Sequence, residues 1–174
     1  MPRVSPRVWI EDSLPNRPHR PSSLPTSANV LDTFVVAHAL DRVWAARRVV
    51  DTASQLGLDP RGCAELAVIV CELVTNAVKF AGSGVVTVVV EGDGVQVWVE
   101  DTGPGLAEPD RAVLDGYSEG AMRTPDDDPR KRRGLGSGLA AVKRFADDLQ
   151  ITQPTGGGTR VVAMKRTAGR RYSR

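Results

Sequence analysis

The sequence predicts a two-layer α/β sandwich, a mixed sheet carrying its helices on one face. Three observations predict it. Two consecutive stretches have apolar residues at helical spacing. The Val-rich runs VVTVVVEG and VQVWVED follow, joined by Gly-Asp-Gly, a strong hairpin signal. A third helical stretch then precedes a second pair of strand-like runs. The order strand, helix, helix, hairpin, irregular segment, helix, hairpin lacks the regular alternation of an all-parallel sheet.

Residues 1–28 hold Pro2, Pro6, Pro15, Pro18, Pro21 and Pro25 with little periodic apolar content, and read as a disordered arm. Leu31–His38 reads as a short strand. Asp41 is the expected N-cap of a first helix with Val43, Ala46, Val49, Val50, Ala53 and Leu56 at helical spacing, stopped by Gly57. A second helix starts after Pro60 and runs to about Phe80. After the hairpin, residues 126–128 are all Asp and 130–133 are Arg-Lys-Arg-Arg. Gly-Leu-Gly-Ser-Gly at 134–138 opens a third helix, LAAVKRFADDL, and strands follow near Gln150 and over Arg160–Lys165. There is no internal repeat.

Composition bounds the function. At 174 residues the chain suits one domain with tails. The net charge of +2 conceals basic ends around a middle of about −5, which argues against a nucleic-acid surface on the fold itself. Cys63 and Cys71, with two histidines in all, do not make a zinc-type ligand set and read as buried free thiols. No apolar run has membrane-spanning length, and the N-terminus lacks the apolar centre of a signal peptide, so a cytoplasmic protein without a membrane segment is expected.

The second helix carries the most information. At about 100° per residue, Glu65, Glu72, Asn76 and Lys79 fall within an arc of roughly 60° on an otherwise apolar helix. Such a narrow stripe either faces a cleft or is a thin solvated edge. Glu72 and Asn76 project one turn apart; a carboxamide oxygen suits Mg²⁺, and a carboxylate beside it can take a proton. Lys79 could meet phosphate as a point charge. The turn Asp101-Thr-Gly103-Pro-Gly105 follows a strand, where an acid can accept a hydrogen bond from an exocyclic amine in a dry pocket; a tight turn with no ligand is the alternative. Gly134, Gly136 and Gly138 lead into a helix whose backbone N–H groups suit an anion. P-loop and dinucleotide spacings are absent.

E-x-x-x-N on a helix, D-x-G-x-G after a strand and G-x-G-x-G before a helix, in this order, resemble the N, G1 and G2 boxes of the GHKL superfamily of gyrase, Hsp90, histidine kinases and MutL. The resemblance covers about residues 31–166 and is strongest to bacterial partner-switching serine/threonine kinases, first the stressosome switch kinases (RsbT type), then the anti-sigma factor kinases (RsbW/SpoIIAB type). ALDRVWAARRVVDTASQLGLD, ELAVIVCELVTNAVKFAG, EDTGPGL, LDGYSEG, GLGSGLAAVKRFADDLQI and GGGTRVVAMK carry it. It implies the Bergerat ATP-binding fold over residues 29–166, a lid at about 116–138 and a basic tail at 167–174. ATP and Mg²⁺ are the implied cofactors. Asn76 would hold the metal, Asp101 the adenine amine, and Gly103 and Gly105 would shape the adenine pocket. Gly134, Gly136, Gly138 and Leu139 would close on the phosphates, with Lys79 among the nucleotide contacts. Thr159 would reach adenine through water, and Glu72 would be the general base toward a hydroxyl on a STAS-domain partner. A PP2C-type phosphatase, a sigma factor or a second copy of the chain are further implied partners. An anti-sigma factor and a stand-alone domain related to two-component histidine kinases are the alternatives. Residues 121–133 look like an insertion in the lid.

Overall fold

The computed structural model describes residues 7–10, 29–118, 121–122 and 138–167. Strand β1 (Arg7–Ile10) and strand β2 (Asn29–Val36) precede helix α1 (Asp41–Gln55) and helix α2 (Pro60–Ala81). Strands β3 (Gly84–Glu91) and β4 (Gly94–Asp101) form the expected hairpin. A short helix α3 (Pro109–Ala112) and the small ladder of β5 (Tyr117–Ser118) with β6 (Ala121–Met122) come next, before helix α4 (Gly138–Phe145) and strands β7 (Asp148–Thr152) and β8 (Thr159–Arg166).

The main sheet runs β1-β7-β8-β4-β3-β2, with every pair antiparallel except β1 and β7. Its apolar face, including Val86, Val88, Val97, Val99, Leu149, Ile151, Val161 and Ala163, meets Leu66, Ile69, Val70, Leu73 and Val74 of α2, with Ala45 and Val49 of α1 behind. The two-layer sandwich with a mixed sheet is therefore the architecture found.

Local chemistry explains the central helix. Asp59 caps α2 by accepting the Gly62 N–H at 2.6 Å, Pro60 needs no donor at the first position, and Gly82, at φ 78°, closes the end onto Val78. Asp41 behaves differently from its expected capping role. It is the first residue of α1, and its carboxylate turns back to accept the N–H groups of Ala37 and His38 and the Trp44 indole N–H. These donors, Ala37 first, then Trp44 and His38, hold its pKa at about 2. A folded-state pKa below the ordinary 3.8 stabilises the fold above that value, and the contribution is lost as pH falls through about 2. Asp41→Ala is accordingly expected to lower the thermal midpoint at neutral pH, with the gap to wild type closing between pH 4 and 2. A gap independent of pH in thermal scans contradicts the assignment.

Four boundaries differ from expectation. Residues 7–10, read as arm, pair in parallel with β7. Thr167, read as tail, is buried and donates both its N–H and its hydroxyl to the Asp93 carbonyl. Helix α4 stops at Phe145 instead of continuing through Leu149, because β8 claims its end. Asp147 N–H donates to the Met164 carbonyl, Arg166 N–H to the Asp147 carboxylate, and Lys165 Nζ to the Phe145 carbonyl. His38 lies in the exposed turn after β2, not within the strand.

Lys165 is 6% exposed and also meets Glu65 at 2.9 Å and Asp147 at 3.1 Å. Glu65, which shares the helical stripe of Glu72 and Asn76, is thus taken by a buried ion pair. Removing Lys165 leaves the Glu65 carboxylate largely buried, with the exposed Arg61 still 3.1 Å away. Lys165→Ala is expected to cost about 3 kcal/mol in urea unfolding, with much of the loss recovered in Lys165→Met/Glu65→Leu. A single variant as stable as wild type contradicts this.

Cys63 and Cys71 are free and half-buried, and burial pushes both thiols up. Among the described residues no helix is long and apolar enough to cross a membrane, and no cluster of His, Cys, Asp and Glu could hold a metal ion.

Candidate nucleotide site

Two neighbourhoods hold the expected nucleotide-site residues, one at the middle of α2 and one at its C-terminal end. The first lies where α2 meets α4. Gly138 opens α4 against the middle of α2, and a Cβ there would stand 3.0 Å from Glu72 Oε2 and 3.6 Å from both amide atoms of Asn76. The missing side chain brings a helix start beside a carboxylate and a carboxamide one turn apart. Backbone N–H groups, an acceptor and a hard oxygen ligand therefore converge. Among the described residues no donor bonds the Glu72 carboxylate. Leu139, next along α4, is half-buried and packs on the core. Gly134 and Gly136 lie outside the described residues, as do the acidic run at 126–128, the basic run at 130–133 and most of the expected lid.

The second neighbourhood is the end of β4. Asp101 Oδ1 accepts the Gly103 N–H at 2.9 Å and the Thr159 N–H at 3.2 Å, which aims the carboxyl and leaves Oδ2 without a bond among the described residues. Gly103 is needed for close packing: a Cβ would meet Ala81 Cβ at 2.9 Å and the Phe80 carbonyl at 3.2 Å. Gly105 takes φ 79°, a left-handed conformation that disfavours side chains. Thr159 is 7% exposed at the start of β8. Lys79 Nζ sits over the Phe80 ring, 4.4 Å from its centroid, at this end of α2.

The structure thus groups Glu72 with Asn76 and Gly138, and Asp101 with Gly103 and Thr159. It also brings in two residues that were not singled out. A Cβ on Gly158 would fall 1.9 Å from the Asp101 carbonyl, so only glycine lets β8 begin there. The Gly156–Gly158 run was the available signal. Gln153 lies across Gly105, and its amide N–H donates to the Leu106 carbonyl. No sequence pattern marks it.

Similarity to known proteins identifies the family to which this two-layer sandwich belongs. The family model described as histidine kinase-, DNA gyrase B- and HSP90-like ATPase matches residues 64–168, and the chain belongs to that family. Its ligand class is therefore ATP. The chain is 29% identical over 119 residues to the serine/threonine-protein kinase RsbT of Bacillus subtilis (strain 168), covering 66% of this chain and 80% of that one. It is 30% identical over 122 residues to an uncharacterized sensor-like histidine kinase of Rhizobium meliloti (strain 1021), 66% of this chain but 22% of that protein. A chain in the SiaB-SiaC complex from Pseudomonas aeruginosa has the same fold, with TM-score 0.55, 13% identity and coverage of 78% and 89%.

Proposed function

We propose that the chain is an Mg-ATP-dependent serine/threonine protein kinase that phosphorylates a STAS-domain partner within a sigma-factor partner switch. The observation that carries it is Glu72 beside Gly138 and Asn76: a carboxylate at the phosphate end of an ATP fold, bonded to no other group among the described residues. Similarity to a serine/threonine-protein kinase along most of that kinase's length supports the reading.

In this reading Asp101 accepts the adenine amine, Gly103 and Gly105 admit the ring, and Thr159 lies at its edge. Gly138 would offer a helix-start N–H to the phosphates; Gly134, Gly136 and Leu139 are assigned to the same role by the sequence resemblance, and Lys79 would add positive charge. Asn76 would hold Mg²⁺, which supplies charge neutralisation on the phosphates. Glu72 takes the proton of the attacking hydroxyl as its oxygen bonds to the γ-phosphorus and ADP leaves.

The test is a panel of purified STAS-domain proteins incubated with the chain and Mg-ATP. One of them gaining a single phosphate on serine or threonine is the expected result; a panel on which none does contradicts the substrate assignment. The similarity to a sensor-like histidine kinase favours a second reading, a stand-alone domain related to two-component kinases. That reading predicts acid-labile phosphohistidine instead.

A further inference from the structure

We infer that Gln153 is a positioning residue of the nucleotide site, holding the Asp101–Gly105 turn in its ligand-ready shape. The inference rests on the ATP reading of that turn. Strands β4 and β7 are not neighbours, because β8 runs between them. Gln153, just past β7, nevertheless reaches the turn that ends β4. Its Cδ, Nε2 and Oε1 all stand 3.4 Å from where a Gly105 Cβ would be, so the amide lies flat across that glycine. Its Nε2 donates to the carbonyl of Leu106, the next residue. A carbonyl only accepts, which sets the amide orientation.

The other end of the β7–β8 connection closes on the same turn through Gly158 and the Thr159 N–H. Asp101 is therefore fixed from one side by backbone and Gly105–Leu106 from the other by a single side chain. A turn already held in shape costs less to order when adenine enters. Gln153 is itself exposed, so losing it leaves no buried group unpaired.

Calorimetric titration of Mg-ADP into the full chain, beside thermal midpoints of the nucleotide-free protein, tests this. Gln153→Met keeps the length and removes the donor; Gln153→His returns an N–H. Gln153→Met is expected to weaken ADP by about 3–10-fold, the worth of one neutral hydrogen bond, without moving the nucleotide-free midpoint. Gln153→His should regain part of that affinity. Unchanged ADP affinity in Gln153→Met, or a loss that appears only with a fallen midpoint, overturns the inference. A wild-type chain that binds no Mg-ADP overturns the ATP reading itself and is seen before any variant is made.

Discussion

Glu72→Ala is expected to lower phosphotransfer by about 10²–10⁴-fold while Mg-ADP affinity stays at the wild-type level. The split follows from where Glu72 sits. It lies mid-helix on α2, whose ends are secured independently by the Asp59 cap and by Gly82, so truncation does not unravel the helix. No donor among the described residues depends on its carboxylate, so nothing is left unpaired. Asn76, one turn on, keeps its place against Gly138. What would disappear is the proposed acceptor for the hydroxyl proton. Equal transfer rates for mutant and wild type rule out Glu72 as the base, and a parallel loss of ADP binding makes it a nucleotide ligand instead.

Asp101→Asn is expected to weaken Mg-ADP by about 10²-fold or more with little change in thermal stability. The native Oδ1 already accepts two backbone N–H groups, from Gly103 and Thr159. An asparagine can keep both with its own oxygen, so the turn survives. Its amide then points two donors where Oδ2 was, and the adenine amine is a donor too. The substitution therefore replaces a charge-assisted hydrogen bond with two opposed donors in a partly enclosed site. Calorimetry on the folded variant decides it. Wild-type affinity contradicts the adenine role of Asp101, whereas a large fall in midpoint shows that the carboxylate serves the turn alone.

What could be read in advance was local. The cap, proline and glycine of α2 lie within a few residues of the helix they define, and Gly-Asp-Gly sets the β3–β4 turn where the two strands meet. Glu72, Asn76, Asp101 and Gly103 stood out because each residue type is ill suited to its place unless something faces it. What could not be read was set across the chain. The proline density of residues 1–28 is a sound argument against a helix or a central strand, yet four residues between Pro6 and Pro15 can add to an outer strand, and β7 has an edge to accept them. Helical spacing put Glu65 in the stripe with Glu72, but only the alternation of β8, which turns Lys165 inward, assigns it to an ion pair. The same strand ends α4 early. Gln153 joins the site by side-chain reach over an intervening strand, and nothing in its own neighbourhood signals that.

In the proposed function one nucleotide site spans both neighbourhoods, from the end of β4 to the start of α4. Backbone amide shifts during titration of Mg-ADP into isotopically labelled protein measure it most directly. Saturable shifts that are largest at Gly103, Gly105, Thr159 and Gly138 and follow a single binding curve are the expected result. Shifts confined to one neighbourhood, or centred away from both, would contradict it.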